Sequence, residues 1–286
     1  MYALLRSVAY AALRCPICRC ELSTTGRSLG CGNRHNFDFA KSGYVNLTRG
    51  QRRKPAAGGD TRLQLQHRDT FLSSGAFDFI ADTILARWQQ DVRASVLLLL
   101  DAGCGTGYHL SRIAHGLQAR IGRPCGGLGV DLSKEATQIA ARHHKAFAFA
   151  VTDVWSEWPI RSGSVDFLTS VFAPKNFREM ARALRSDGRI AVAYPGPHHL
   201  IELRRQFALM RMGGDKKAVY RDRMSRFFGN ISQDHILRNV QITHRDALSL
   251  ILMGPNARHP TEGGIPAWPG TRSVTFDVEL LFASTT

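Results

Sequence analysis

A formal charge of +15, from 38 Lys and Arg against 23 Asp and Glu in 286 residues, directs this chain toward polyanions, nucleic acid first and an anionic membrane second. The excess is largely arginine, whose planar fork pairs with phosphate and stacks on bases, which favours nucleic acid. With 44% apolar residues the chain can bury a core, which excludes a disordered class, and nothing in it resembles a spanning helix, since even the run Val96 to Leu100 is too short and stops at Asp101.

Met1 to Arg14 hold a short apolar stretch flanked by arginine, with no adequate apolar core leading to a cleavage site, and are expected to form a helical or frayed extension. Without an export signal, six cysteines read as metal ligands and buried thiols in a reducing, cytoplasmic compartment. Cys15, Cys18, Cys31 and His35 follow the spacing C-x2-C-x12-C-x3-H. Each short pair fits a tight turn, and the span around Thr25-Gly26 fits a hairpin, so the four ligands predict a closed, structural zinc site with no open position for substrate. Cys20 lies just past the first turn and is not expected to ligate.

The aromatics from His35 to Leu47 are expected mostly in a core. Thr48 to Arg62 gather Arg49, Arg52, Arg53, Lys54 and Arg62 around Pro55 and Gly58-Gly59, a basic linker suited to ordering on RNA. Helices are predicted from about Leu63 to Leu72 and on the stripe Phe77, Ile80, Ile84, Leu85 and Trp88.

The apolar run ending in Asp101-Ala102-Gly103-Cys104-Gly105-Thr106-Gly107-Tyr108 predicts a strand buried on both faces, then a loop of glycines. Its spacing, G-x-G-x-G, differs from the G-x-G-x-x-G that wraps a pyrophosphate, and it suits S-adenosylmethionine (SAM), with Asp101 at the strand's carboxyl end facing the amino group of the methionine part. Cys104 is read as a small buried residue. A helix bearing Leu110, Ile113, Ala114 and Leu117 leads to a second strand closing on Asp131, 24 residues after Gly107. An acid there either holds ribose hydroxyls or caps the helix that begins near Ser133.

Ala146 to Val151 reads as a third strand, with Asp153 beyond it as acceptor for the adenine amino group. Val165 to Phe172 is a fourth, then come a helix from about Phe177 to Leu184, a turn at Ser186-Asp187-Gly188, and a fifth strand from Arg189 to Tyr194. Strands near Ile236 to Ile242 and Val274 to Phe282 should add an antiparallel edge. The alternation predicts an α/β class, a Rossmann-like, doubly wound methyltransferase sheet with a small N-terminal zinc-binding module. Three regions are expected: the extension and module over residues 1–47, the basic linker over 48–62, and the catalytic domain over 63–286.

The four metal ligands, Asn36-Phe37-Asp38, Gly43-Tyr44-Val45-Asn46-Leu47, Gly59-Asp60, the glycine loop, Phe172-Ala173-Pro174, Pro195-Gly196-Pro197-His198-His199-Leu200 and Met253-Gly254-Pro255 together resemble the bacterial 23S rRNA guanine-N1 methyltransferase family over nearly the whole chain. Phe-Ala-Pro-Lys-Asn is similar to the Gram-positive, macrolide-producer branch of tylosin and mycinamicin resistance. The resemblance implies SAM-dependent methylation of a guanine in hairpin 35 of 23S rRNA, macrolide resistance, zinc on Cys15, Cys18, Cys31 and His35, and SAM contacts from Phe77, Gly107, Tyr108 and His199. Phe77 stands where the family carries tyrosine, which keeps stacking and removes a hydroxyl. Asp153, His198 and His199 are candidates for receiving the guanine N1 proton, although a histidine after Pro-Gly-Pro can equally bond backbone or pack. The expected partner is 23S rRNA, without a membrane, and a homodimer is included. The rival readings are a non-catalytic RNA-binding protein of the same fold and a small-molecule methyltransferase.

Overall fold

A computed structural model describes residues 2–48, 60–88, 95–207, 209, 216–254 and 266–285. Arg49, Arg52, Arg53, Lys54, Pro55, Gly58, Gly59 and Pro255 therefore lie outside the described residues.

The molecule is organised by β5 (Leu97–Ala102), in which every residue is buried. Side chains alternate across a strand. Leu97 and Leu99 accordingly pack into one core and Leu98 and Leu100 into the other, which is why the run is apolar without a break. Around β5 stand β6 (Cys125–Asp131), β7 (Ala148–Val151), β8 (Val165–Val171) and β9 (Leu184–Pro195), and these five strands pair in parallel with one another. The β10 (Gly229–Thr243) and β11 (Thr271–Ser284) strands run antiparallel, and β11 inserts between β10 and β9. Adding β4 (Val45–Asn46), the order is β10-β11-β9-β8-β5-β6-β7-β4. The chain reverses its direction of growth between β5 and β8, and ligands of such sheets bind at the carboxyl ends beside that reversal.

One face is covered by α2 (Arg62–Ser73), α3 (Asp78–Arg87), α4 (Tyr108–Ile121), α5 (Lys134–His143), the short α7 (Ile201–Gln206) and α9 (His244–Leu252). The other carries α1 (Tyr2–Ala11), α6 (Phe177–Ala183) and α8 (Lys216–Ser225). The hairpin β1 (Ser23–Thr25) and β2 (Ser28–Gly30), with β3 (Asn36–Asp38), forms a separate three-stranded sheet around the cysteines.

The N-terminal segment is docked. Leu5's carbonyl lies where a Cβ on Gly126 would reach 3.0 Å, so only glycine in β6 lets α1 approach this closely. Tyr10 Oη donates to the Gly43 carbonyl at 3.0 Å, and Arg14 and Arg19 both pair with Glu157 at 2.8 Å. With β4 in the main sheet, the metal module is tied to the catalytic domain at several points.

Two local expectations change. Ser186-Asp187-Gly188 does not end a helix before a separate strand. It lies inside β9, where the partner of β8 jumps from Leu184 to Arg189 between Val165 and Phe167. Asp166 stabilises this irregularity, accepting the Leu98 N–H at 2.7 Å and Arg185 at 2.8 Å. Both final strands are also longer than their apolar cores suggest, because backbone pairing continues beyond the side chains that pack.

The glycines of β6 generate a prediction. A Cβ on Gly129 would lie 2.7 Å from the Phe149 ring and 2.8 Å from Cys104 Sγ. Gly129→Ala is expected to cost about 1–3 kcal/mol as an overpacking change, seen as a lower urea midpoint with unchanged m-value.

Candidate active site and metal centre

The glycine loop leaves β5 with φ of +80° at Gly103, +53° at Gly105 and +84° at Gly107, values that L side chains seldom adopt. Space adds to the constraint. A Cβ on Gly103 would overlap that of Ala173, and one on Gly107 would lie 2.9 Å from His144. Gly107 precedes α4, so the loop presents backbone N–H groups at a helix start.

Asp131, at the end of β6, accepts the Gly105 N–H at 2.9 Å and the Ser133 N–H at 2.8 Å. The helix cap is Ser133, whose hydroxyl accepts from Ala136 at 3.1 Å. Of the two readings for Asp131, capping is therefore supplied by its neighbour, and its carboxylate joins the glycine loop to the turn before α5. Burial raises its pKa. Asp101 is 1% exposed, and burial pushes its carboxyl up to about 7 despite a 2.8 Å hydrogen bond from Thr169 Oγ1. Cys104 is buried and its thiol is raised by the same desolvation, as expected of a packing residue rather than a nucleophile.

Thr106 Oγ1 and His109 Nδ1 are buried without a partner among the described residues, beside this loop. Unmatched buried polar atoms are costly, and with the open glycine loop and the acids of β5 and β6 they make a site whose donors and acceptors suit SAM. Asp153 lies past β7 with its carboxylate engaged by the Trp155 N–H at 2.9 Å and Ser156 Oγ at 2.6 Å. The Tyr108 hydroxyl donates to Asp78, and burial followed by that bond raises its pKa.

On the far side of the loop an aromatic cluster gathers Phe77, Phe172, His199 and Phe276. Phe77 is buried, stacked toward His199 with centroids 6.1 Å apart. Phe172 has φ of +51°, a strained conformation for a bulky residue. His199 Nδ1 accepts the Asp277 N–H at 3.3 Å, and desolvation lowers its pKa to about 4. It is thus neutral, with its proton on Nε2. His198 is exposed, its Nδ1 3.4 Å from Asp277 Oδ2.

Asp277 was not anticipated from the sequence. It is fully buried on β11, accepts the His198 N–H at 2.7 Å, and lies 2.8 Å from His235 Nε2. The only signal for it is the polar alternation Thr275, Asp277, Glu279 within an apolar strand. Lys175 is a second such residue. It is 2% exposed, and its ammonium donates to the carbonyls of Ala173 and Ala193, at 2.5 and 3.1 Å. Burial lowers its pKa to about 7.

In the metal module, Cys15, Cys18, Cys31 and His35 bring their ligand atoms within 4.8 Å of one another. Cys18 and Cys31 sulfurs are 3.6 Å apart, and His35 Nδ1 lies 3.5 and 3.4 Å from those of Cys15 and Cys31. A tetrahedral zinc with 2.3 Å bonds sets its sulfurs roughly 3.8 Å apart, so the four fit one ion. Backbone N–H groups of Ile17 and Cys18 point at the Cys15 sulfur and that of Cys20 at Cys18. The Cys20 thiol is exposed, lies 3.9 Å from the Cys18 carbonyl, and accepts from Asn33 Nδ2 at 3.6 Å.

Fold and site together define a SAM-dependent methyltransferase that carries a zinc ribbon. The family described as "RlmA, N-terminal", a zinc ribbon, matches residues 13–54, and "Methyltransferase domain" matches residues 99–188. A 23S rRNA (guanine(748)-N(1))-methyltransferase of Streptomyces fradiae is 34% identical over 93% of this chain and 94% of its own. A relative from Micromonospora griseorubida, named for 23S rRNA guanine-N1 methylation, is 34% identical over 86% of this chain and 87% of its own. A chain from the solved complex of the Haloferax volcanii Trm112 activator with a methyltransferase shares the fold, with a TM-score of 0.50 at 20% identity over 80% of this chain and 99% of that one. This chain belongs to the bacterial 23S rRNA guanine-N1 methyltransferase family.

Freshly purified protein is expected to contain about one equivalent of zinc by elemental analysis. Cys31→Ser should lose it and Cys20→Ser should keep it. Folded protein free of metal would contradict the site.

Proposed function

We propose that this protein methylates N1 of a guanine in the hairpin 35 loop of 23S rRNA, in the cytoplasm, and so protects against macrolides. Membership of the family carries this reading most directly, and the strong positive charge agrees with an RNA substrate. No helix among the described residues is long and apolar enough to cross a membrane. The intact glycine loop speaks against a non-catalytic RNA binder, and the zinc ribbon against a small-molecule enzyme. We include a homodimer, since among the described residues the long β10 strand ends the sheet with one edge that pairs with no other strand. In this reading residues 1–47 and the basic segment 48–62 grip RNA while 63–286 carry the chemistry.

Bound SAM supplies a methyl group activated on a sulfonium. Gly103, Gly105 and Gly107 bring backbone close to the ligand, Asp101 faces its amino group, Asp131 its ribose and Asp153 its adenine, while Phe77 and Tyr108 line the cleft. Phe172 and His199 wall the side toward the guanine and exclude water from it. The N1 proton needs an acceptor. His199 is a poor one, because its Nδ1 holds the Asp277 N–H and burial disfavours its cation. His198 suits the role better, since its Nδ1 faces the Asp277 carboxylate and leaves Nε2 to receive the proton. Asp277 would then stabilise the imidazolium that forms.

Two measurements test the reading. Asp101, pushed up to about 7 by burial, must be ionised to hold a cationic amino group. SAM affinity should therefore weaken by up to about tenfold per pH unit as pH falls below about 7, and Asp101→Asn should bind weakly with a flat profile. Calorimetry showing a flat wild-type profile between about pH 5.5 and about pH 8.5 would remove Asp101 from the contact. The acceptor is tested with a hairpin 33–35 transcript and labelled SAM. Primer extension should stop beside one guanine, because N1 methylation blocks pairing, whereas a methyl on carbon or ribose would refute the assignment. Normal macrolide sensitivity despite full methylation would refute resistance alone.

A further inference from the structure

Beyond the cofactor cleft and the metal ribbon, one face combines exposed aromatic rings with unburied cations. Trp155 is 61% exposed and Phe172 39%, and with Phe227 they are the exposed aromatic rings among the described residues. Phe227 lies at the far end of α8, but the other two follow the carboxyl ends of β7 and β8, where the cleft opens. An indole left in water forgoes a large burial energy, so its placement on a rigid turn calls for a reason. The Trp155 turn is rigid: its N–H donates to Asp153 Oδ1, and its carbonyl accepts from Asn176 Nδ2 at 3.3 Å.

The same 172–177 segment holds α8. Tyr220 packs edge-on against Tyr194 and Phe177, with centroids 4.9 and 6.3 Å apart, and Arg223 lies over the Phe177 ring and donates to the Lys175 carbonyl at 3.4 Å. This anchoring leaves Lys217 and Arg221 exposed one turn apart. The α8 helix carries Lys216, Lys217, Arg221 and Arg223 against a single acid, Asp222, which pairs with Arg226 at 2.7 Å. Crowded like charges weaken a short helix and become favourable beside a polyanion.

We propose that the face of α8 bearing Lys217 and Arg221 and the Trp155 turn form an RNA-docking surface at the mouth of the cleft, separate from the zinc ribbon. Lys217 and Arg221 contact phosphates, and Trp155 stacks an unpaired base flanking the target, which sequence-tolerant aromatic platforms do in single-stranded RNA recognition. The proposal rests on the rRNA reading above and adds to it how the loop is oriented over the active site.

Lys217→Ala/Arg221→Ala and Trp155→Ala replace exposed side chains, and thermal unfolding measured for each separates a loss of fold from a loss of binding. Binding of the hairpin 33–35 transcript across a salt series is the readout, with SAM affinity measured alongside. The double variant should flatten the slope of log affinity against log salt by about 1.4–1.8, the contribution of two phosphates. Trp155→Ala should weaken binding by about 5- to 150-fold with its slope unchanged. SAM affinity should be unchanged in both. Wild-type slope and affinity in both variants, with the wild type binding the transcript, would overturn the surface. If the wild type binds the transcript without methylating it, the methylation reading fails while the variants still decide the surface. A wild type that does not bind RNA overturns both.

Discussion

The four leucines of β5 divide between two cores, and that two-sided burial places everything at the active end. A strand enclosed on both faces can release its chain only at its ends. The first residues past its carboxyl end therefore form the floor of a crevice. The enclosure also acts on Asp101, whose carboxyl burial pushes up to about 7. The close contact of Gly103 with Ala173 then brings the loop after β8 against the cofactor loop.

Buried polar groups do the positioning around this crevice. Asp277 holds the Pro-Gly-Pro-His-His turn through the N–H of His198, while its own N–H fixes the tautomer of His199. Gly196 belongs to the same arrangement, since a Cβ there would overlap the Asp277 carboxylate. Lys175 crosslinks the carbonyls of Ala173 and Ala193, and its buried charge is partly balanced by Asp101. An unpaired buried charge is strongly destabilising, so these groups stand or fall together.

The zinc ribbon gains its role from attachment. Arg14 and Arg19 converge on Glu157, two residues from Trp155, and α1 lies on β6 through Gly126. Each exposed ion pair contributes little. The packed helix and the β4 pairing fix the ribbon's orientation relative to the catalytic sheet.

By itself the sequence determined the elements whose chemistry is local. The metal set was legible because two short spacings bring ligands onto tight turns, and the glycine loop because only glycine tolerates its φ values. The five parallel strands from β5 to β9 were legible from apolar runs ending in turn residues, whereas β4, which joins them in parallel beside β7, was not. Other features were decided by tertiary structure. Whether Asp131 or Ser133 caps α5 depends on how close the glycine loop comes, and the reach of β10 and β11 depends on a partner strand rather than on periodicity. Asp277 and Lys175 were invisible as site residues, because a charged residue in an apolar strand or a proline loop gives no sign of which carbonyls or histidines will face it. The roles of His198 and His199 divided for the same reason. Adjacent in sequence, they differ only in burial and in which atom of Asp277 each meets, and both are set by a strand nearly eighty residues further along the chain.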